Sequence, residues 1–505
     1  MAALDGLNWN VRMINYFMFA RSAFSSLFDQ TTLSYYVLLV TGSNTKVGFV
    51  QGLKGFVNLA SSFPFAVLGD RKSRQLALRI SGCVGGVAIV ATMYVLLYVE
   101  KWHRRMLFGY LCGIQVIWGV FMGGHGATVE AVFGDSVESG KRSMLYSDKA
   151  AYRTAGNTMG PIISIVIFAA LSDKWSLSNL TYVMLGGMVP AVIAVALLFV
   201  IFDKCTLGVL SESLLVQSEA RSEVRPEIQP EVPAPSDAVA TTTAGGARGW
   251  CLRRVELDDI PAILALSDTL SALGSGMTVK FFPLWFGEEL SISPIGVMAI
   301  MLAGPVGITY CTLLAGKLAA LIGRVQATLC LKGGGISLLV VLALLRGEGS
   351  FALIAIYLVR TWLMNSTVGL TKSVMNDFVS KRNRAKWNSL ESLNTFSWSG
   401  SAVLGGWLVD GHGYRTTFLY TAFLQGCAAA MLLPLIVLVP VEQFKAEAPR
   451  KDPKKSDTKP NEHIVSVAYS PVFVRADYGL GESPGAALDD GGDNGSPVSA
   501  SGALA

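Results

Sequence analysis

The sequence predicts an all-α membrane protein in which twelve transmembrane helices form two pseudo-symmetric six-helix bundles. Composition, the recurrence of long apolar segments and an internal repeat predict this fold. Apolar residues make up 51% of the chain and charged residues 15%, and the mean hydropathy is +0.47. A soluble domain carries about 25% charged residues. A chain with so little charge is suited to a surface that faces lipid.

Apolar segments long enough to cross the ~30 Å hydrocarbon layer recur along the chain. We number them spans 1 to 12, with bounds accurate to several residues. In the first half they are 12–40, 47–69, 75–99, 106–134, 146–171 and 179–202. In the second half they are 257–286, 291–320, 325–346, 350–378, 388–410 and 416–440.

Two stretches at the ends of spans 4 and 10 repeat one another. The first runs Thr128-Val-Glu-Ala-Val-Phe-Gly-Asp-Ser-Val137, and the second runs Leu370-Thr-Lys-Ser-Val-Met-Asn-Asp-Phe-Val379. Valine, aspartate and valine recur at matching places, and a Lys-Arg step follows in each loop. The repeat predicts two halves of related fold.

Basic residues concentrate in the loops that follow the even-numbered spans, which predicts that these loops and both termini are cytoplasmic. These loops hold Arg71, Lys72, Arg74, Lys141, Arg142, Arg324, Lys381, Arg382, Arg384 and Lys386. The loop between spans 3 and 4 breaks the rule with Lys101, Arg104 and Arg105. Four loops follow the rule and one does not, so we predict that the even-numbered spans end at the cytoplasmic face. The sequence does not say which cellular membrane holds the protein.

The segment between the two halves and the tail are too polar to form a core. The linker contains Arg225-Pro-Glu-Ile-Gln-Pro-Glu-Val-Pro-Ala-Pro235, and the tail ends in Gly, Ser and Asp. Such composition predicts disorder. The predicted organisation is a first half at 1–202, a cytoplasmic linker at 203–256, a second half at 257–440 and a cytoplasmic tail at 441–505.

The loop after span 2 carries a motif that resembles one of the major facilitator superfamily, Gly-x-Leu-x-Asp-Arg-x-Gly-Arg-Arg. This chain reads Ala66-Val-Leu-Gly-Asp-Arg-Lys-Ser-Arg-Gln75, and the loop after span 8 is a weaker copy, Gly316-Lys-Leu-Ala-Ala-Leu-Ile-Gly-Arg324. Both glycines and the last arginine of the motif are replaced after span 2. The resemblance covers about residues 10–440 and is specific at superfamily level only.

This resemblance implies a gating role for Asp70, Arg71 and Arg74. Asp70 would dock at the start of span 11, around Trp387-Asn388, where the positive end of a helix favours a carboxylate. Arg71 and Arg74 would add contacts between the halves or with lipid headgroups. The alternative is that the two arginines only set the topology.

Span 5 contains Gly156-Asn-Thr-Met-Gly-Pro161, the centre of an element found in antiporters of the superfamily. The flanking glycines are missing, since Ser147 and Ser164 occupy their places. Small residues let helices approach closely, and proline bends a helix. The motif favours antiport or efflux.

Ionisable residues within spans are costly in a bilayer and therefore indicate function. By resemblance, spans 1, 4, 7 and 10 line a central cavity. The candidate ligands for solute or ion on these spans are Arg21, Asp29, Gln30, His125, Asp268, Lys280 and Asn365, and Arg360 lies on span 10. Lys54 and Arg153 are further candidates for binding an anion. Asp29 is the first candidate for carrying a proton and Asp268 the second, whereas His125 is more typical of a packing residue.

Alignment of the halves on Asp135 and Asp377 places opposite charges at matching positions. Glu130 aligns with Lys372, and Lys149 aligns with Glu391. Each half would then pair its own two residues across a hairpin, Glu130 with Lys149 and Lys372 with Glu391. We interpret these as structural or gating ion pairs, with solute binding as the alternative.

The sequence thus predicts a secondary active transporter of a small polar or charged organic solute, working by alternating access and in the form of proton-coupled efflux or antiport. Facilitative uniport and nutrient uptake are alternatives, and so is a non-transporting receptor of the same fold. No Gly-x-x-x-x-Gly-Lys-Ser/Thr motif for ATP is present, and the four histidines are scattered, so we expect no enzyme activity. We expect no cofactor, no metal site and no nucleic acid partner. The expected partners are the lipid bilayer, the solute and protons, and we expect a monomer.

Overall fold

The computed structural model describes most of the predicted spans and few of the connecting segments. The described residues are 7–98, 103–137, 142–207, 259–346, 349–378 and 384–439. Of residues 142, 143, 376, 377 and 384–393 only the backbone is described. All of these belong to one compact unit, Met1–Phe444, and the second unit, Lys445–Ala505, lies outside the described residues together with the predicted tail. Residues 208–256 of the predicted linker and the first two residues of the predicted second half, 257 and 258, also lie outside them.

The first half consists of six helical spans close to the predicted ones. Span 1 is made of Trp9–Phe24, a π-helical turn at Ser25–Gln30, and Thr32–Thr41. Spans 2 to 6 are Asn44–Arg71, Arg74–Leu97, Arg104–Asp135, Arg142–Leu171 and Leu177–Phe199. A 3-10 turn, Asp203–Cys205, follows, so the first residues of the predicted linker pack against the spans.

The second half repeats this arrangement. Span 7 consists of Ile260–Val279 and Phe281–Glu288, span 8 is Pro294–Ile322, span 9 is Arg324–Leu344, and span 10 consists of Ser350–Ser366 and Val368–Phe378. Spans 11 and 12 are two helices within Arg384–Ala430 that meet at Gly413, whose φ of 82° is not helical, and a short helix, Leu435–Leu438, ends the described chain. The loop that we predicted between spans 11 and 12 is thus replaced by one left-handed glycine.

Nine segments of the described chain are long and apolar enough to cross a membrane. One of them, Asn394–Leu438, holds both span 11 and span 12. Spans 1 and 2 are not among the nine: the π-helical turn divides span 1, and span 2 carries Gln51, Lys54 and Asn58. The described helices are consistent with the predicted twelve spans, and the described residues contain no strand.

Serine caps fix where several spans begin. Ser43 accepts a hydrogen bond from the backbone N–H of Lys46 at the start of span 2, and Ser293 accepts one from Gly296 at the start of span 8. Ser73 and Ser176 cap spans 3 and 6 in the same way. A hydroxyl at this position satisfies one of the N–H groups that the first helical turn leaves unpaired.

The spans cross the molecule between two faces. At the terminal face, span 1 begins beside the end of span 6, since Trp9 donates a hydrogen bond to the carbonyl oxygen of Val200 at 2.8 Å. The end of span 4 lies there too, because Leu207 N–H donates to the carbonyl oxygen of Asp135 at 2.9 Å. At the opposite face, here called the distal face, spans 1, 5, 7 and 11 end.

Glycines allow close helix packing at two interfaces. On span 2, a Cβ added to Gly48 would lie 2.1 Å from the carbonyl oxygen of Ala402 on span 11. On span 5, a Cβ at Gly156 would lie 2.3 Å from the carbonyl oxygen of Phe19, and one at Gly160 would lie 2.0 Å from Ser26 Oγ. The first interface joins the two halves, and the second fixes span 5 against span 1 where the π-helical turn begins.

Candidate functional site

The centre of the molecule holds a buried ion pair between spans 1 and 2. Lys54 Nζ donates to Asp29 Oδ2, and only 8% of Asp29 and 5% of Lys54 is exposed. Asp29 lies in the π-helical turn, a distortion that is frequent at functional sites. Its second carboxylate oxygen, Oδ1, is buried without a hydrogen-bond partner among the described residues.

Lys280 joins the second half to this pair. It lies at the break between the two helices of span 7, and its Nζ donates to the backbone carbonyl oxygen of Asp29 at 2.8 Å. The same Nζ lies 5.7 Å from the centre of the Trp398 ring. Two lysines from different halves therefore converge on Asp29. Asp29 and Lys280 both lie where a helix is interrupted, whereas Lys54 lies within the continuous helix of span 2.

These groups lie near the middle of the spans. Lys54 is ten residues past Asn44, the first residue of span 2, which corresponds to ~15 Å along a helix rising ~1.5 Å per residue. Lys280 is eight residues before Glu288, the last residue of span 7, or ~12 Å. Half the hydrocarbon thickness is ~15 Å, so both depths are close to the midplane.

Two adjoining cavities surround this centre. The smaller has a volume of about 320 Å³ and lies between the halves; Asp29, Lys54 and Lys280 line it, as do Gln30 and Asn58. The larger, about 650 Å³, lies in the second half. The residues common to both linings are Val279, Tyr357, Thr395 and Trp398.

The larger cavity contains most of the polar candidates of the second half. Lys332 Nζ on span 9 lies 3.5 Å from Asp268 Oδ1 on span 7. Asn365 and Lys372 also line it, and so does the buried Arg360. Lys332 is not among the predicted site residues, because it lies on span 9, and the resemblance assigns only spans 1, 4, 7 and 10 to the cavity.

Arg21 and His125 are separate from both cavity linings. Arg21 is half-buried with Nε unpartnered among the described residues, and Arg153, Asp29 and Glu130 are its charged neighbours. His125 Nδ1 lies 2.7 Å from the carbonyl oxygen of Phe121. A carbonyl only accepts, so Nδ1 carries the proton and donates it.

The environment of His125 is apolar. Its ring packs edge-on against Phe17, with centroids 5.2 Å apart, and lies 4.4 Å from Phe121. This environment favours the packing interpretation of His125 over a ligand role.

The structure brings some of the predicted gating residues together at the terminal face. Lys149 Nζ lies 2.5 Å from Glu130 Oε2 and 4.3 Å from the centre of the Phe133 ring. Arg74 forms an ion pair with Asp135, which ties the loop after span 2 to the end of span 4.

Other gating predictions stay untested. Asp70 and Arg71 are exposed, and the side chains around 387–388, where Asp70 is expected to dock, lie outside the described ones. The side chain of Glu391 lies there as well, so its pairing with Lys372 remains a prediction.

A carboxylate at the distal face locks the N-terminus of span 2, and the sequence analysis missed it. Asp410, near the end of span 11, accepts hydrogen bonds from the backbone N–H groups of Asn44 at 2.8 Å and Thr45 at 2.9 Å. The hydroxyls of Ser43 and Thr45 also donate to it, each at 2.7 Å. The contact joins the two halves.

A second carboxylate makes the corresponding contact in the opposite direction. Asp173, after span 5, accepts a hydrogen bond from Ile295 N–H at 2.9 Å, at the start of span 8. We call the Asp410 and Asp173 contacts the distal latches. The sequence holds a signal for them, because each carboxylate follows a leucine by two residues, Leu171-Ser-Asp173 and Leu408-Val-Asp410. Each partner helix also begins at a serine cap.

Further contacts close the same face. Tyr35 donates to the carbonyl oxygen of Pro283 at 2.7 Å and stacks on Trp175, with ring centroids 3.6 Å apart. Trp175 in turn donates to the carbonyl oxygen of Ile292 at 3.1 Å, and Tyr414 donates to Asn44 at 3.0 Å. The hydrogen bonds between halves, within the described residues, thus lie at the centre or at the distal face.

Comparisons with known proteins agree with this architecture. A family model described as Major Facilitator Superfamily matches residues 15–237 and 264–481. The solved structure of nucleoside transporter NupG superposes with a TM-score of 0.58 at 13% identity, covering 85% of this chain and 99% of that one. The D-xylose-proton symporter gives 0.57 at 14% identity, with 83% and 95% covered.

A bacterial homologue of the iron transporter ferroportin, in its inward-facing state, gives a TM-score of 0.56 at 15% identity, covering 85% of this chain and 98% of that chain. At such identities the likeness to solved structures shows the fold alone. The comparison with curated proteins finds no match.

Proposed function

The chain belongs to the major facilitator superfamily, and on that premise we propose that this membrane transporter moves a small polar or charged organic solute by alternating access through the two adjoining cavities. The observation that carries the proposal is the convergence of Asp29, Lys54 and Lys280 between the halves. Buried charges at membrane depth are costly and are kept where they serve a pathway. Sites at the junction of the two halves are typical of secondary transporters.

The two lysines offer a physical basis for coupling solute to protons. Asp29 is compensated by Lys54, while Lys280 is held by a carbonyl oxygen of the same residue. A solute that takes either ammonium group would leave the carboxylate less compensated, and a buried, less compensated carboxylate binds a proton more readily. Solute and proton would then bind in a linked manner at Asp29.

The packing of span 5 supports efflux or antiport as the form of transport. Gly156 and Gly160 belong to the antiporter-like element and contact span 1 at Phe19 and at Ser26, and Ser26 lies three residues before Asp29 in the π-helical turn. Any tilt of span 5 would therefore act directly on the turn that holds the carboxylate. Uniport and nutrient uptake are the competing forms of transport. The similar solved structures are a nucleoside transporter, a D-xylose-proton symporter and a homologue of an iron transporter, and this diversity favours none of these forms.

The distal latches suggest which state the protein adopts. The basic loops predict that the terminal face is cytoplasmic, and the hydrogen bonds that the described residues form between the halves lie at the centre or at the opposite face. We infer an inward-facing state, in which the solute exchanges with the cytoplasm. The outward-facing state would require both latches to open.

Reconstitution into liposomes tests this function. Wild type, Asp29→Asn and Asp148→Asn would be compared for uptake or exchange of pooled solutes with and without an imposed proton gradient. Asp148 lies on span 5 outside both cavity linings, so it controls for the chemical change alone. Gradient-driven flux that Asp29→Asn abolishes, with exchange retained, is the expected result.

Two other outcomes separate the alternatives. Flux that depends neither on the proton gradient nor on the Asp29→Asn change would establish uniport and exclude proton coupling through Asp29. Binding of solute without flux in every variant would contradict transport and support a receptor.

A further inference from the structure

We propose that the larger cavity is an oxyanion subsite in which Arg360, with Lys332, holds the carboxylate, sulfonate or phosphate group of an organic anion. The inference rests on the proposed transport function and narrows its substrate to one class. The two can fail separately, because binding of an anion and flux across a membrane are measured independently.

Among the described residues, Arg360 is a buried cation that forms no ion pair. Only 3% of it is exposed, and its Nε has no hydrogen-bond partner among the described residues. Its guanidinium lies 5.3 Å from the centre of the Phe282 ring. A desolvated charge left unpaired is strongly unfavourable. Such a group is retained where a ligand supplies the missing charge.

The second half orients this guanidinium. Gln425 accepts a long hydrogen bond of 3.4 Å from Arg360 Nη2, and it donates one of 3.0 Å to Ser275 Oγ. The bond to serine fixes the amide of Gln425, so its oxygen is directed to the arginine. Arg360 lines the cavity and its Nε–H has no partner among the described residues, and a guanidinium presents paired donors that match an oxyanion.

The charge around the cavity also favours an anion. Arg360 and Lys332 contribute two positive charges and Asp268 one negative charge, so these three lining residues sum to a net charge of +1. Lys372 also lines the cavity. Lys332 lies 3.5 Å from Asp268 and retains donors for a second acceptor. These three residues together thus compensate one negative charge on a ligand.

The rest of the lining fits the body of an organic molecule. A volume of about 650 Å³ exceeds what an inorganic ion needs and lies in the range of small-molecule sites, about 300–1,000 Å³. Phe282, Tyr357 and Trp398 provide aromatic walls, and Met364 and Met375 add apolar surface. An aromatic or aliphatic body would lie along Trp398, which leads to the smaller cavity and Lys280.

A matched set of ring compounds tests the subsite. Purified protein in detergent would be titrated with benzoate, benzenesulfonate, phenyl phosphate, neutral benzamide and cationic benzylamine, and binding would be followed by calorimetry and by the shift in melting temperature. We expect the three anions to bind and the neutral and cationic compounds not to bind. The preferred anion tells carboxylate from sulfonate and phosphate.

Variants assign the binding to the two cations. Arg360→Gln should weaken anion binding about tenfold to a hundredfold, the loss expected when a charge-assisted hydrogen bond is removed. Lys332→Gln should weaken it by a smaller factor, and Arg360→Lys should restore part of it. Lys317→Gln removes a positive charge from an exposed position on span 8 and serves as the control.

The proposal fails if no anion of the set binds, if benzamide or benzylamine binds as tightly as the anions, or if Arg360→Gln binds them like Lys317→Gln. If Arg360→Gln does not fold, as judged by size-exclusion chromatography, Arg360→Lys and Lys332→Gln carry the test. Anion binding without flux in liposomes would uphold the subsite and contradict the transport function. Flux of another solute without anion binding would support the transport function and contradict the subsite.

Discussion

At the centre of the molecule, Asp29 is hydrogen-bonded to lysines from both halves. Its carboxylate takes a hydrogen bond from Lys54 of the first half, and its carbonyl oxygen takes one from Lys280 of the second half. A conformational change that separates the halves at this point must break the contact of Lys280 or carry the π-helical turn with it. In the proposed mechanism, binding of solute and movement of the halves would therefore be linked through Asp29.

The first prediction concerns the buried ion pair. Lys54→Gln should lower the free energy of unfolding by about 3–5 kcal/mol, because it leaves a buried carboxylate uncompensated. Titration with a denaturing detergent in mixed micelles measures the change. The double variant Asp29→Asn with Lys54→Gln should recover part of the loss. Additive effects of the two single changes would contradict a direct pair.

Sequence reasoning finds the central residues more easily than their partners. Asp29 and Lys280 stand out because a charge within an apolar segment is unfavourable in lipid. Lys332 does not stand out, because its role depends on which side of span 9 faces the cavity, and that rotation is set by packing. The isolation of Arg360 from any carboxylate in the described residues is likewise visible only in three dimensions.

At the scale of helices, the contact of spans 1 and 5 sets the geometry of the centre. Gly160 lies against Ser26, inside the π-helical turn, and Gly156 lies against Phe19. No Cβ can be accommodated at either position without movement of span 1. The two glycines of the antiporter-like element thus allow span 5 to pack tightly against the π-helical turn that contains Asp29.

The second prediction follows from this packing. Gly160→Ala should destabilise the protein by about 1–3 kcal/mol, the cost of overpacking a close contact, and should reduce flux by displacing Asp29. Gly113→Ala on span 4 is the control, since nothing lies within 4 Å of a Cβ added there. Melting temperature and liposome flux measure the two effects. Equal behaviour of the two variants would argue against a tight contact at Gly160.

Hydrophobic length predicts helices well and their interruptions poorly. The structure begins and ends the spans near the predicted residues, because apolar length is a property of the sequence alone. The π-helical turn, the break at Lys280 and the reversal at Gly413 are local departures that tertiary contacts stabilise. Apolar length alone gives no sign of these three interruptions. Two of them, the π-helical turn and the break at Lys280, nevertheless form the candidate site.

At the scale of the whole molecule, the distal latches relate the two halves by their pseudo-symmetry. Each places a carboxylate from the end of one span on the N-terminus of a span in the other half. A carboxylate at the positive end of a helix is favourable, so both contacts stabilise a closed distal face. Opening of that face must overcome both.

The third prediction is that Asp410→Asn opens the distal face more often. Loss of a charged helix contact costs about 1 kcal/mol, which changes the ratio of closed to open molecules by about fivefold. Spin labels on cysteines placed at Lys46 and His412, both exposed at this face, would report a longer distance by pulsed electron resonance. Asp173→Asn should act in the same direction.

The control for this experiment is the same Asp→Asn change at a helix N-terminus that does not join the two halves. Asp203 accepts hydrogen bonds from Ser73 at 2.7 Å and from Gln75 N–H at 3.1 Å, and all three residues belong to the first half. Asp203→Asn removes a helix-terminal carboxylate without touching the contact between halves. A distance distribution that changes as much in this variant as in Asp410→Asn would show that the latch does not hold the face closed.

The central claim, that a solute site between the halves is exposed to each face in turn, is tested most directly by accessibility. A single cysteine at Gln30, which lines the smaller cavity, would be introduced after the seven native cysteines are replaced. A membrane-impermeant thiol reagent would then be applied from one side at a time. We predict labelling from the terminal face in the parent protein, and labelling from the distal face once Asp410→Asn and Asp173→Asn are combined. Labelling from the same side in both proteins would contradict alternating access.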